Sequence, residues 1–269
     1  MELAYDRCGA GPPLVLLHGA GHRRQAWLPV EKRLAKHREV ISVDLPGFGE
    51  SPPLPEHLPY ELDTAVIVLK EFFANQGLDR PHVAGNSMGG LISLVLAQQG
   101  MVASATALSP AGLWSPMGRR VSLGMVRQVQ RTARYMPPKL AIWLSRTAAG
   151  RTLMCGILFG RPDLLEPQVL LDDMQAMISA VGFGPTLDAG NKITFAGQVP
   201  DVPVTIAWGS RDLLMWRPRG ESVIRLIPHV RLLRLPGCGH VPMNDNPELV
   251  AHVLLTGSSD ERQRVSSTR

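Results

Sequence analysis

The strongest chemical signal in the chain is a serine with a glycine two residues away on either side, Gly85-Asn86-Ser87-Met88-Gly89. Residues 81–85 read as a short buried strand, and residues 87–99 read as a helix. A strand that passes straight into a helix must bend so sharply that the serine takes strained backbone angles. Glycines on both flanks remove the side chains that would collide. Ser87 would then stand at a helix N-terminus, where the helix dipole favours developing negative charge. A serine hydroxyl is a poor nucleophile until a base takes its proton, and the base needs an acid to orient it. Of the eight histidines, His240 is best placed, closing Gly237-Cys238-Gly239-His240 just past the last strand-like run. His18 also lies at a strand end, but the glycines after it assign its importance to its backbone rather than its ring. His22 and the remaining five fall on helices, loops or strand starts and read as structural or solvated.

For the acid, Asp212 in Trp208-Gly209-Ser210-Arg211-Asp212 follows the penultimate strand, one helix and one strand before His240. The two therefore belong on adjacent strand ends at one edge of the sheet. The preceding strand end reads Ser109-Pro110 and offers no carboxylate, and Asp44 heads a turn and reads as a structural acid. Attack on a carbonyl creates an oxyanion that needs preorganised donors, each worth about 2.7–4 kcal/mol. The expected donors are the backbone N–H groups of Met88, immediately after the nucleophile, and of Ala20 in His18-Gly19-Ala20-Gly21.

The elements that must position these groups alternate. Strand-like runs at residues 2–6, 13–18, 39–44, 81–85, 103–109, 202–208 and 230–235 are separated by helical patterns at residues 24–37, 60–75, 87–99, 217–227 and 246–255. This alternation predicts an α/β fold, a doubly wound, mostly parallel sheet with its site at the carboxyl ends of the strands. Residues 1–112 and 199–256 form the expected core. Residues 113–198 lack strand-like runs and predict a helical lid inserted between two strands. Within it, at about 100° per residue, Arg120, Arg127, Arg131 and Arg134 share one helix face and Val121, Met125, Val129 and Met136 the opposite one. Residues 257–269 are polar and read as a disordered tail.

Composition excludes several other classes. With 45% apolar and 19% charged residues the chain is globular rather than disordered or fibrous. No apolar stretch approaches the roughly 18 residues of a membrane span, and the N-terminus lacks a secretory pattern. Three widely spaced cysteines, Cys8, Cys155 and Cys238, fit free thiols in a reducing, cytoplasmic compartment. A pI near 9.4 invites a nucleic-acid reading. The positive charge comes from one segment, however: residues 113–162 hold nine basic residues and no acidic one, leaving the remainder net acidic. No RNA-binding aromatic motif, zinc-ligand cluster or basic tail accompanies it, so no nucleic-acid partner is expected. The segment reads first as a solvated helix face and second as a weak contact with anionic surfaces.

Taken together, HGAG at residues 18–21, DLPGFGES at 44–51, GNSMGG at 85–90, GSRD at 209–212 and GCGH at 237–240 resemble the α/β-hydrolase superfamily. The chain order Ser87, Asp212, His240 is the order of that family's triad. The resemblance implies a serine hydrolase with no metal or organic cofactor. The first expectation is a carboxylic-ester hydrolase acting on a small-molecule substrate with an ester-like carbonyl. Asn86 before the nucleophile resembles the carbon–carbon bond hydrolases of ring-fission products, although Val241 stands where those enzymes usually carry Trp. Carbon–carbon or lactone hydrolysis is therefore the alternative. A slow-turnover ligand-binding or signalling protein is the alternative of another class. Leu113, Trp114 and Trp143, with the Met-rich lid, are expected to build an apolar acyl pocket with Trp216 near its rim. One strand before HGAG, where the family often has two, predicts a sheet shorter by one edge strand.

Overall fold

Apolar runs bounded by turn residues form seven strands among the residues that the computed structural model describes, which are 1–199, 201–218 and 220–259. They are β1 (Tyr5–Gly9), β2 (Pro13–Leu17), β3 (Glu39–Val43), β4 (His82–Asn86), β5 (Ser104–Leu108), β6 (Val204–Gly209) and β7 (Arg231–Leu235). The sheet order is β1-β3-β2-β4-β5-β6-β7, with β1 antiparallel to β3 and every other neighbour parallel. Leu17 pairs with Val43 on one side and Gly85 on the other, Gly85 pairs with Ala107, and Leu108 pairs with Ala207. The carboxyl ends are thus level, and the loops after β2, β3, β4, β5, β6 and β7 share one edge. Among the described residues a single strand, β1, precedes β2, the strand that leads into HGAG, as expected. It runs three residues later than its apolar pattern suggested, because its partner is β3, with Tyr5 opposite Val43 and Gly9 opposite Glu39.

Helices α1 (Leu28–Leu34), α2 (Leu62–Asn75) and α3 (Met88–Gln98) connect the first strands. Between β5 and β6 lie α4 (Pro116–Tyr135), α5 (Pro138–Ser145), α6 (Ala148–Cys155), α7 (Pro167–Ser179) and α8 (Phe183–Gly190). The chain then forms α9 (Gly220–Leu226), α10 (Pro242–Asp245) and α11 (Pro247–Gly257). Alternate strand residues go to opposite faces. Val15, Leu17, Val83 and Ile206 pack with Leu69, Phe72 and Leu94 of α2 and α3, whereas Leu14, Leu16 and Leu108 pack with Val30, Leu34 and Leu254 of α1 and α11. The segment between β5 and β6 is helical, as expected, and Leu123, Met177, Phe183 and Leu187 join its helices to the first of these clusters.

Three expectations are corrected in detail. The helix expected at residues 24–37 begins as a 3₁₀ turn (Arg24–Trp27), and Pro29 sits in the first turn of the α-helix that follows. The helix expected from Arg217 starts at Gly220, beyond Pro218. Gly257 ends α11 against the sheet, where an added Cβ would meet Thr106 Oγ1 at 2.2 Å, and Arg38 donates to Ser258 Oγ and O at 3.1 and 2.7 Å. Residues 257–259, expected to open a disordered tail, are thus held against the rest of the protein, and residues 260–269 of that expectation lie outside the described residues. Among the described residues no helix is long and apolar enough to cross a membrane. Cys8, Cys155 and Cys238 are free thiols.

Two buried polar groups knit the loops at the carboxyl edge. The Asp44 carboxylate, fully buried, accepts from the Arg24 guanidinium and from the Glu50 N–H at 2.9 Å, so it is the structural acid that the sequence suggests. The His18 ring is not idle, contrary to the sequence reading. Its Nδ1–H donates to Gly19 O at 2.8 Å and its Nε2 accepts from Leu45 N–H at 3.0 Å. A carbonyl can only accept and an amide N–H can only donate, so these partners set a neutral tautomer. Burial pushes the imidazole from 6.5 down to about 4, against the pull of the Gly19 carbonyl and Asp44.

A histidine held neutral in the fold but free to protonate once unfolded stabilises the protein fully only above its unfolded pKa. Stability should therefore fall as pH drops from 6.5 toward 4, by on the order of 3 kcal/mol if His18 acted alone. Urea denaturation across this range should show that loss. His18→Asn should be less stable at pH 7 yet show a shallower pH dependence; an equal slope in the two proteins would disprove the assignment.

Candidate active site

At the turn from β4 into α3, Ser87 has φ 55° and ψ −112°. Neither flanking glycine leaves room for a side chain. A Cβ on Gly85 would lie 2.1 Å from Gly89 O, and one on Gly89 would lie 2.1 Å from Leu17 O. The turn is pinned to β5 by Ser87 N–H donating to Leu108 O at 2.9 Å and to the loop after β5 by Ala111 N–H donating to Ser87 O at 3.0 Å. Nothing here can relax without moving the sheet.

The structure brings His240 and Asp212 together. His240 Nδ1–H donates to Asp212 Oδ2 at 2.9 Å, with both side chains almost fully buried. A proton on Nδ1 leaves Nε2 unprotonated in the neutral ring, the form a general base requires. Asp212 Oδ1 accepts from Leu214 N–H at 3.0 Å and Met215 N–H at 2.8 Å. Burial by itself would raise this carboxyl. The charge and hydrogen bond of His240, with the Met215 amide, outweigh it and hold Asp212 below the usual carboxylate range.

Ser87, His240, Ala20 and Met88 line one cavity of about 120 Å³. Ala20 sits in a tight turn closed by His22 N–H donating to Gly19 O at 3.1 Å, and a Cβ on Gly19 would come within 3.2 Å of Ser87 Cβ. That loop is pressed against the serine. Met88 is the first residue of α3, where a backbone N–H has no partner within its own helix. The two amides expected to serve an oxyanion thus border the space beside Ser87.

The residues expected to build an acyl pocket do not all line this cavity. Trp114 lines the cavity, its indole N–H donating to Ile193 O at 3.0 Å. Leu113 and Trp216 line a neighbouring groove of about 450 Å³ instead. Trp143 lines neither; it is 64% exposed on α5 and is corrected to the outer surface. The apolar wall comes from Leu91, Leu123, Val126, Val129, Met177 and Leu187. Of the apolar α4 face read from the sequence, Val129 reaches the cavity.

Three side chains escaped the sequence reading of the site. Asn86 was noted only for its resemblance, yet its Nδ2 donates to His240 O at 2.9 Å and to Leu108 O at 3.1 Å, so the residue before the serine holds the backbone of the histidine. His22, read as structural or solvated, is buried in the cavity wall and stacks on Phe159 at 6.5 Å. Burial holds it in the neutral form, with Asp173, His240 and Arg23 as the charged or titratable groups facing it. Asp245 accepts from Gly239 N–H at 2.7 Å, Gly160 N–H at 2.8 Å and Arg161 N–H at 2.8 Å. Val241 N–H also donates to Leu158 O at 2.9 Å. The loop carrying His240 is therefore tied to the end of the α6 region. The signal available beforehand was an acidic residue five positions after the histidine, which no motif interprets.

Comparison with known proteins adds three findings. The sequence profile of the alpha/beta hydrolase family matches residues 14–253. Among curated proteins, the chain is 25% identical over 257 residues to an uncharacterized protein of Mycobacterium tuberculosis, covering 91% of this chain and 74% of that one. It is also 25% identical over 246 residues to Lipase 1 of Psychrobacter immobilis, covering 87% and 73%. Among solved structures, a thermophilic esterase from Thermogutta terrifontis superposes with a TM-score of 0.73 at 23% identity, covering 94% of this chain and 92% of that one, a likeness of fold alone.

The geometry predicts that a fluorophosphonate labels Ser87. Asp212→Asn should slow labelling by about 10³–10⁴-fold, since the wrong histidine tautomer would be favoured. Asp245→Asn loses acceptor capacity for three amides and lets the His240 loop shift, which should slow labelling by about tenfold to a hundredfold. Mass spectrometry of the labelled protein against time measures all three.

Proposed function

The chain belongs to the alpha/beta hydrolase family, and from that membership we propose that it hydrolyses carboxylic esters of small to medium apolar acyl groups through an acyl-enzyme on Ser87. The observation that carries this reading is the buried His240–Asp212 pair opening onto the same apolar cavity as the strained Ser87. Lipase 1 of Psychrobacter immobilis, among the relatives, supports ester chemistry.

Ser87 Oγ attacks the acyl carbon while His240 Nε2 takes its proton. The negative charge on the former carbonyl oxygen is received by the Ala20 and Met88 amides, and Asp212 stabilises the imidazolium. His240 then gives its proton to the departing alkoxide, which leaves as the alcohol. Water enters, His240 takes one of its protons, and the resulting hydroxide attacks the acyl carbon. The ester bond to Ser87 breaks, the acid departs and the serine recovers its proton. The acyl chain lies along Leu91, Leu123, Val126, Val129 and Leu187, and α4 to α8 act as a lid over it. Desolvation under this lid strengthens each charge interaction in the cycle.

The test is turnover of p-nitrophenyl esters from acetate to palmitate. The wild type should prefer short to medium chains, and Ser87→Ala should lose at least about 10³-fold in kcat. Val129→Phe should shift the preference toward shorter chains by filling the cavity. If a fluorophosphonate still labels Ser87 but no ester turns over, the reactive serine serves another substrate, ring-fission dienoates or lactones being the next to try. Slow, near-stoichiometric turnover with a ligand-dependent melting shift would instead favour a ligand-binding role.

A further inference from the structure

The helices between β5 and β6 carry a surface that ester chemistry does not use. From residue 80 to residue 162 the chain contains no acidic side chain. Of the basic residues in that span, several are engaged locally. Arg119 reaches Ile193 O and Thr194 Oγ1, Arg127 pairs with Asp188, Arg151 donates to the carbonyls of Ser145, Pro162 and Asp163, and Arg161 pairs with Asp163. Arg131, Arg134, Lys139 and Arg146 are exposed and form no ion pair among the described residues.

The corner where α4 ends and the chain turns through Met136-Pro137 into α5 carries Arg131 and Arg134 before the turn and Lys139 after it, with Arg146 just beyond the end of α5. The same corner exposes large apolar side chains: Tyr135 at 75%, Trp143 at 64%, Leu140 at 43% and Ile142 at 42%. On α5, Ala141 and Ser145 are buried and mark the inward side. At about 100° per residue, Trp143 points directly away from them, Lys139 and Arg146 flank it, and Leu140 and Ile142 lie to either side. An outward tryptophan ringed by cations and aliphatic groups is the composition of an interfacial helix face. Aromatic rings settle at headgroup level, short aliphatic groups enter the acyl boundary, and basic groups meet lipid phosphates. A nucleic acid would satisfy the cations but leave Leu140 and Ile142 in water. An acidic protein would need its own apolar patch to match them.

We propose that the α4–α5 corner docks the protein on the surface of an anionic lipid bilayer, with Trp143 and Tyr135 at the headgroup level and Arg131, Arg134, Lys139 and Arg146 on lipid phosphates. This does not depend on the ester reading, and the experiment separates the two by using the Ser87→Ala protein for every vesicle measurement. Cosedimentation is measured with vesicles of phosphatidylglycerol and phosphatidylcholine in equal parts, and with phosphatidylcholine alone. The expected result is binding to the anionic vesicles, with a blue shift in tryptophan emission, and at least about tenfold weaker binding to the neutral ones. Raising salt from roughly 0.1 to 0.5 M should weaken it by about tenfold or more. Lys139→Glu/Arg146→Glu should lose at least about tenfold in partitioning, and so should Trp143→Ala, with melting temperatures unchanged. In the Ser87-intact background, the charge-reversed protein should label with fluorophosphonate at the normal rate. No binding, equal binding to both vesicle types, or binding indifferent to charge reversal overturns the proposal. Binding that survives Trp143→Ala also overturns it, because the patch would then be purely electrostatic, as for an acidic protein or a nucleic acid.

Discussion

The backbone of Ser87 is the constraint on which the rest of the molecule turns. A non-glycine residue at φ 55° costs on the order of 1–3 kcal/mol and persists only where its surroundings over-determine it. Here they do so through contacts with no spare room. Gly85 and Gly89 leave no space for a methyl group, and Gly89 lies so near Leu17 O that β2, β4 and α3 share a single point of contact. The hydrogen bond to Leu108 O extends the lock to β5. The strain is thereby distributed over three parallel strands, and the level carboxyl ends of the sheet are a condition of the turn as much as a background to it.

From that point the site is assembled by backbone groups rather than by a chain of side chains. Asn86 has an amide that holds His240 O, so the residue that enters the strained turn also sets the position of the histidine more than a hundred residues later. Asp245 performs the matching task from the other side. It gathers three amides, of which Gly239 belongs to the histidine loop and Gly160 and Arg161 to the helical insertion. The insertion is consequently fastened to the loop that carries His240, and a shift in one must be felt by the other. This coupling resides in one carboxylate accepting from N–H groups that would otherwise be buried without partners.

Electrostatics divides the molecule into an inside and an outside with different rules. Inside, burial drives His18 and His22 to their neutral forms, while Asp212 stays ionised because His240 and the Met215 amide compensate its burial. The cavity is otherwise apolar, so the few polar groups that reach it act in a medium of low dielectric. Outside, Arg131, Arg134, Lys139 and Arg146 at the α4–α5 corner form no ion pair among the described residues, and Tyr135 and Trp143 stand exposed. One helical segment thus supplies Val126, Val129 and Met177 to the cavity and Trp143 and Tyr135 to the surface.

What the chain determined by itself lies close along the sequence. Strand–turn–helix sterics around Ser87 are a matter of five residues, and the alternation of apolar runs with helical patterns sets a parallel sheet whose carboxyl ends must carry the reactive groups. Asp212 and His240 follow from that rule because each sits just past a strand. Tertiary structure alone decided which way side chains on the inserted helices face. Trp143 and Val129 are both apolar residues at helical spacing, and nothing within their helices distinguishes the one in solvent from the one in the cavity. That outcome depends on the rotation of α4 and α5 about their axes, which is set for α4 by packing against the cluster containing Leu187 and Met177 and for α5 by packing against α6 and α7. The ring of His18, the cavity-side position of His22 and the three amides of Asp245 were hidden for the same reason. Each has a partner from a segment distant in sequence, Leu45 for His18, Phe159 for His22, and Gly160 and Arg161 for Asp245, and a contact of that kind has no local pattern to announce it.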